Sequence, residues 1–599
     1  MKKRFIGILA GAVLAASLIA GCATRGRGEL VWHESHDVII IGAGISGYVT
    51  YLSIMQAAQD SGRDLNVLFI EQMGISGGIT RLAGGANFNN MRYWHGLSRT
   101  EIETRYGLWM SGAAGVAEPV TPAPHLVLNI LNPARPYPDF DLLYPIMGSI
   151  RDAWVFLYTQ FGGNPPAAGA VPSQNLATRV LEFAGAGGGP GYMTAFGMAG
   201  TALGGTNHLR LNHRAVELHQ AQNAAGEYVG VGITLIDNQN RRRNHQGSVI
   251  VFATGGFAQN PAMKEEFSRA SGDWPETGLN NFLLHAPHFV GADGSGINIL
   301  RHGALPRPAA IYTSGFGVIT GGRPHIDLSA VNAARTYPPP AFDAIAMFGG
   351  GAISSPLLDL FGSVLVNGDG VRTLNEYSLS AWNAKGSHHM HTENIFPYWR
   401  VFSSHTGNAG DGLAAREAGV SALLEAVNFI GGTAGTQAQR QRVAHELVSA
   451  DTLEALALAM FNTNNVNHPS VVAFLSTMAA YDAWVAGNTG TDPHAASFFP
   501  AGFGKTLPQA AGVRFNDGAG PFFAVRWYPS GWDTAGGVRS NSNAQVIDIY
   551  GNAISNVFAV GGVSNRFYFG ETYVGGSSLT FYPAIARRAT AQIIRELGW

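Results

Sequence analysis

The run His36-Asp37-Val38-Ile39-Ile40-Ile41 passes from polar to continuously apolar and predicts a buried strand. β-Branched residues without polar alternation mark a parallel strand covered on both faces. Gly42 to Gly47 reads as a turn, Tyr48 to Asp60 as a helix, and Leu65 to Ile70 as a second strand. Together they predict a βαβ unit. Residues 88–165 have a helical pattern, with Trp154-Val155-Phe156-Leu157-Tyr158 as a buried stripe. Strands are expected near 214–221, 226–236 and 248–253, with Asn240-Arg241-Arg242-Arg243 as a solvated hairpin tip. Residues 305–350 are rich in Pro and Gly and predict loops. Residues 409–486 return to helix, including a start at Asp451 as N-cap. Strand signals at 521–528, 545–549 and 556–560 precede a final helix from Ser578 to Glu596.

A different pattern opens the chain. Lys2, Lys3 and Arg4 precede the apolar run Phe5 to Ala20, and Gly21-Cys22 closes it. A basic start, an apolar stretch and small residues predict a secretory signal over 1–22. A cysteine after small residues resembles a bacterial lipobox. The expectation is therefore a lipid on Cys22, a tether over 23–35, and a membrane-anchored protein on the extracytoplasmic side. Cys22 is the single cysteine of 599 residues, so the chain's own cysteines supply no internal disulfide and no iron–sulfur or c-type haem attachment. A net charge of -2 gives no electrostatic basis for nucleic acid as a partner. The 78 glycines follow no period and gather beside apolar runs, as where backbone approaches a ligand.

Gly42-Ala43-Gly44-Ile45-Ser46-Gly47 is a GxGxxG turn between strand and helix, and Glu71 ends the next strand. That context is the dinucleotide fingerprint: glycines for the turn, a helix N-terminus for pyrophosphate, and an acid for the ribose.

The segments that follow carry a resemblance. Gly77-Gly78-Ile79-Thr80-Arg81-Leu82-Ala83-Gly84-Gly85 is similar to the flavin-contacting loop of fumarate reductase/succinate dehydrogenase flavoproteins. Val216 resembles that family's adenine-contacting strand, and Ala253-Thr254-Gly255-Gly256-Phe257 its ATGGF box. Gly294-Ser295-Gly296-Ile297 stands where the family has TGDG, with Ser295 in place of Asp. Ser363 to Asn367 with Arg372, Asn375 and Glu376 resembles the GILVN…NE segment. Gly536-Gly537, Asn543 to Val546 and Val557 to Gly562 resemble the carboxy-terminal box, and Gly575 to Leu579 the GGN-AL helix start. The resemblance runs from about residue 36 to 595. It implies an α/β fold: a Rossmann-like FAD-binding domain over 31–305 and 526–599, with an inserted α+β capping domain over 306–525. It implies FAD held by Gly42, Gly44, Ser46, Gly47, Glu71, Gly78, Thr80, Ala83, Gly84, Gly85, Val216, Ala253, Thr254, Gly255, Gly562, Ser578 and Leu579. Family members with covalent flavin use a histidine in the loop after the second strand. Gly77 to Ala86 has none, so noncovalent FAD is expected.

The substrate side departs from the family. Positions that carry an Arg, a His and a proton-donating Arg in reductases of unsaturated acids match Tyr573, Asp533 and Ser380 here. Asp533 would repel a dicarboxylate. Tyr573-Val574-Gly575-Gly576 resembles instead the Tyr-Pro-Gly-Pro-Gly segment of 3-ketosteroid dehydrogenases, where a Tyr hydroxyl polarises a ketone. The implied activity is hydride transfer between flavin and a C–C bond next to a carbonyl, with a small-molecule substrate other than fumarate. A ketosteroid-dehydrogenase-like reaction is the alternative, and a flavin-carrying lipoprotein without turnover the second. With no fused redox centre, a separate protein or quinone must exchange the electrons. No metal is assigned: His388-His389-Met390-His391 reads as a polar loop, and Arg526 and Arg566 read as ordinary ion-pairing residues before contacts for an acidic substrate. Trp382, Trp399, Trp527, Tyr528 and Trp532 read as core before substrate wall.

Overall fold

The computed structural model describes residues 30–82, 145–167 (except 147), 176–204 (except 187), 208–260, 262–263, 266–267, 291–323, 363–373, 395–404 (except 396), 413–487, 515, 520–565 and 577–599. Cys22 and the predicted signal segment lie outside them. The first elements are β1 (Glu34–Ile41), α1 (Ile45–Asp60), β2 (Val67–Ile70), α2 (Ile150–Gln160), α3 (Leu176–Ala184), α4 (Gly188–Ala202), β3 (Leu209–Arg210), β4 (Arg214–Gln222), β5 (Tyr228–Ile236), β6 (Arg242–Phe252) and α5 (Ser295–Leu300). The middle holds β7 (Ile311–Arg323), β8 (Ser363–Val366), β9 (Tyr398–Ser403), α6 (Leu413–Gly431), α7 (Gln437–Glu446), β10 (Leu447–Ala450), α8 (Leu453–Met460) and α9 (Pro469–Gly487). The last are β11 (Phe522–Val538), β12 (Gln545–Ile547), β13 (Ala553–Ala559), β14 (Ser564–Asn565) and α10 (Ser577–Glu596).

The first sheet runs β12-β13-β6-β1-β2-β3, with β5 and then β4 joined to β6. β13, β6, β1, β2 and β3 are mutually parallel. Both faces are covered, and this is why its strands read as unbroken apolar runs. Val38 and Ile40 face one core with Val67, Phe69, Val249 and Val251, covered by α1, α2, α4 and α10. Ile39 and Ile41 face the other with Leu68, Ile70, Ile250 and Phe252, covered by β4, β5 and α5. Asp237 accepts from the backbone and guanidinium of Arg241 at the β5–β6 turn, so the basic tip is a solvated hairpin end.

The second sheet runs β10-β11-β9-β8, with β7 and β14 also on β11. α8 and α9 cover one face and α6 and α7 the other. β11 is long enough to serve two sets of neighbours. Its first part, Phe522–Trp527, pairs with β9, and Tyr528–Val538 pairs with β7. Register breaks lie between Gly531 and Asp533 and between Thr534 and Gly536.

Three expectations change. Residues 311–323 form a strand where loops were predicted. Their Gly-rich sequence hides the period-2 pattern, and pairing with β11 supplies the order instead. The helical stretch 409–486 is interrupted by β10, and its third helix is capped by Thr452, whose Oγ1 accepts from Ala455 N at 3.1 Å, rather than by Asp451. The tether ends earlier than 35. Asn244 Nδ2 donates to Val31 O at 3.0 Å, His33 N to Asn244 O at 2.9 Å, and β1 starts at Glu34.

Candidate FAD-binding crevice

The carboxyl ends of β1, β6 and β13 meet the first turns of α1 and α10, the place where open α/β sheets receive ligands. The glycines of the first turn divide into two kinds. A Cβ on Gly42, at φ +102°, would fall 2.4 Å from Ala253 O, and one on Gly47 would fall 1.9 Å from Gly42 O. These two are required by backbone packing. A Cβ on Gly44 would meet nothing closer than 3.8 Å, so its face is open, at the N-cap of α1. The same division recurs in the flavin loop: Gly77 packs on Met193, whereas Gly78 has open space before it.

The loop is fastened to the turn. Gly77 N donates to Ala43 O at 2.8 Å, and Ile45 N to Thr80 Oγ1 at 3.0 Å. Glu71 organises the turn from below. Its Oε2 accepts from Ala43 N and its Oε1 from Met73 N, both at 2.9 Å. Burial pushes its carboxyl above the usual range, against the pull of the Ala43, Met73 and Gln72 amides; the Asp293 carboxylate adds to the rise. A carboxylate offers about four acceptor sites and three amides use three of them, so one remains for a ribose hydroxyl.

A second group of small residues closes the other wall. Ala253 N donates to Ile41 O at 2.8 Å, and Gly255 turns with φ +73°. Gly562 would place a Cβ 2.9 Å from Gly256 N, Gly561 one 2.3 Å from Ser46 Oγ, and Gly296 one 2.0 Å from Thr254 Oγ1. Four distant segments thus converge with no side-chain layer between them. Thr254 Oγ1 is buried and finds no hydrogen-bond partner among the described residues, which leaves it able to accept from or donate to a ligand. Leu579 is buried and Ser578 half-buried in the first turn of α10. Val216 is the extra residue of a bulge in β4, between Ala215 paired with Leu235 and Glu217 paired with Thr234; bulges re-aim side chains beside sites.

The contacts bring Gly42, Gly44, Ser46, Gly47, Glu71, Gly78, Thr80, Ala253, Thr254, Gly255 and Gly562 together at the carboxyl ends of β1 and β6, with Ser578 and Leu579 in the first turn of α10. Ala83, Gly84, Gly85, Tyr573 and Ser380 lie outside the described residues, as do Arg566, Trp382 and the histidines at 388, 389 and 391. Asp533 lies on β11 opposite Ile319. Its neighbour Thr534 packs on Gly256, whose Cβ would fall 1.8 Å from Thr534 Oγ1, so the Asp533 backbone stands beside the Thr254–Gly256 box. Arg526 is engaged elsewhere: Nη1 donates to His445 Nε2 at 3.0 Å, and the guanidinium lies 5.0 Å over the Trp399 ring. Trp399 is core.

Sequence reading missed Asp293 and Thr534. The family acid was sought at Ser295, but the acid nearest in field to Glu71 is Asp293, whose Oδ1 accepts from Ser295 N at 2.9 Å. The pair Asp293-Gly294 was the available signal, shifted by two positions. Nothing local marks Thr534; it reaches the box only through the β11 register.

The open glycine faces, the free helix start, the acid under the turn and the orphaned Thr254 hydroxyl all fit an FAD laid across the crevice. Residues 361–579 match the FAD binding domain family. No curated protein matches the sequence significantly. Among solved structures, a flavocytochrome c3 fumarate reductase in an open conformation is 18% identical with a TM-score of 0.54, over 97% of this chain and 81% of that one. A 3-ketosteroid Δ1-dehydrogenase from Sterolibacterium denitrificans gives 16% and 0.56, over 94% and 100%. A 3-ketosteroid-Δ4-(5α)-dehydrogenase from Rhodococcus jostii RHA1 gives 16% and 0.52, over 95% and 98%. Residues 361–579 thus match the FAD binding domain family, and the chain shares the fold of flavocytochrome c3 fumarate reductase and the 3-ketosteroid dehydrogenases.

Proposed function

We propose that this flavoprotein is an oxidoreductase of a C–C bond next to a carbonyl, acting on a substrate less charged than fumarate. The observation that carries it is the position of β11: the Asp533–Thr534 segment lies directly on the Thr254–Gly256 box. In this reading a carboxylate-bearing residue next to that box disfavours a dianionic substrate, because like charges repel. Two of the similar structures hold steroid diones, which are neutral ketones. FAD, when bound, supplies hydride acceptance and donation.

This chain's residues do the rest. Gly42–Gly47 and the start of α1 receive the pyrophosphate, and Glu71 takes the ribose. Gly78 and Gly255 let backbone lie close to the flavin ring, and Thr254 offers it a hydroxyl. Tyr573 polarises the substrate carbonyl in this reading, and Ser380 stands where reductases of unsaturated acids carry their proton donor. A separate protein or quinone exchanges the electrons, and a lipid on Cys22 holds the enzyme at an extracytoplasmic membrane face.

Anaerobic photoreduction followed by mixing with enones, enoates and fumarate tests the proposal. Rapid reoxidation by a neutral enone, with fumarate slower by ~10³-fold or more from two lost carboxylate contacts, is expected. Fast reoxidation by fumarate refutes the substrate class. Inertness toward the whole panel in both directions, oxidised flavin with saturated ketones included, points to a flavin carrier without turnover.

A further inference from the structure

The end of the first sheet remote from the crevice holds a side-chain cluster with no part in cofactor binding. Glu34 and His36 begin β1, and the β1–β6 register brings His245 beside them. His36 is 7% and His245 2% exposed. His36 Nε2 lies 3.1 Å from His245 Nδ1, and the rings are 18° from parallel with centroids 5.4 Å apart. The two nitrogens therefore face each other along one line.

Asn66 fixes who carries the proton. Its Nδ2 donates to Ser35 O at 2.6 Å, which turns Oδ1 toward His36 Nδ1 at 3.1 Å. His36 therefore carries its proton on Nδ1 and presents a lone pair at Nε2, which accepts from His245 Nδ1. Both rings are neutral in this arrangement. A proton added to His36 Nε2 would set N–H against N–H. Glu34 Oε2 is 3.6 Å and 4.0 Å from the two facing nitrogens, but Arg210 holds its carboxylate in a fork at 2.8 and 3.2 Å. A metal ion does not fit. Between nitrogens 3.1 Å apart on one line, an ion would sit ~1.6 Å from each, inside the ~2.0–2.1 Å of a zinc–imidazole bond.

The segment ahead of β1 depends on the same seam. Trp32 stacks edge-on to His219 at 5.7 Å, and Ser35 Oγ donates to Gln246 Oε1 at 3.0 Å. Asn244 N donates to His33 Nδ1 at 3.0 Å. We propose that the His36–His245 pair is a proton-operated latch that holds residues 30–36 on the first sheet and releases them in mildly acidic medium. The groups facing the pair are Glu34 and Asp37, which favour charging, and Arg210 and His33, which oppose it. Burial outweighs them and pushes both rings down, His245 from 6.5 to about 4. A histidine depressed in the docked state stabilises docking fully above the free value of 6.5. That contribution is lost as pH falls toward 4. Between pH 7 and pH 5 the opened arm gains about twentyfold from His245 alone.

Hydrogen exchange of the full-length protein at pH 7 and pH 5, corrected for intrinsic rates, reads this directly. Amides of residues 33–36 and 245–247 should lose protection about twentyfold at pH 5, while those of Ile39 to Ile41 keep theirs. His245→Gln should cut the difference to the part that His36 carries. If that variant does not fold, ring resonances of the unmodified protein decide: both histidines titrating below 6 supports the latch, and either titrating at 6.5 or above overturns it. Unchanged protection of the arm at pH 5, an equal pH response in His245→Gln, or one zinc retained per chain and lost in that variant each overturns it as well.

Discussion

Thr254→Val separates two roles that a buried hydroxyl can play. The side chains have nearly the same volume, so the change removes polarity and little else. Thr254 Oγ1 is buried without a partner among the described residues, nested where a Cβ on Gly296 would fall 2.0 Å away. An unsatisfied buried polar atom costs about 1–3 kcal/mol. Removing it should leave the FAD-free protein more stable, less whatever a slightly larger methyl loses against Gly296. We expect a net gain of ~1 kcal/mol, or a few degrees at most in Tm. If the hydroxyl serves FAD, the holo protein loses a hydrogen bond of ~0.5–1.5 kcal/mol, and the FAD Kd rises about 2–13-fold. The two measurements move in opposite directions, which a general packing defect cannot produce. Thermal unfolding of the stripped protein and fluorescence titration with FAD provide the assay. A stripped Thr254→Val protein destabilised by more than 1 kcal/mol, with FAD affinity unchanged, would refute the reasoning.

Glu71→Gln replaces one of two acceptor oxygens by a donor, so either the Ala43 or the Met73 amide faces an NH2 group; loss of ~1.5–3 kcal/mol should raise the FAD Kd roughly 10–100-fold, read by ultrafiltration of released flavin. Acid precipitation of the holo protein should leave the yellow colour in the supernatant; flavin that stays with the pellet contradicts noncovalent attachment. Cys22→Ser should lose the lipid mass and move from the membrane to the soluble fraction, and an unchanged distribution by mass and fractionation tells against the lipobox reading.

Much of the first sheet was legible because each signal is local. Val38 to Ile41, the Gly42–Gly47 turn and Val67 to Glu71 carry strand, turn and acid within forty residues, and the structure places all of them as read. The site was legible for a related reason: glycines forced by contact, such as Gly42 and Gly47, leave the same trace in sequence as glycines left open for a ligand. The reverse holds where order comes from a distant partner. β7 looks like loop because Gly315, Gly317, Gly321 and Gly322 break its pattern, and only β11 makes it a strand. His36 read as an unremarkable strand start, since its partner His245 stands 209 residues on. Thr452 was passed over for Asp451 because both are good N-caps, and only backbone dihedrals choose between them.

β11 has a mechanical consequence. One covalent strand belongs to the β10–β9–β8 set at its start and touches the flavin box at Gly256 near its end. The two regions cannot slide past each other along that strand; a relative displacement has to be taken up as torsion in the backbone between them. The register breaks on either side of Asp533 and Thr534 are the compliant points of that rod, since each leaves a residue outside the ladder. A displacement of the β10–β9–β8 set relative to the first sheet would thus rotate the peptide units at 531–536 first.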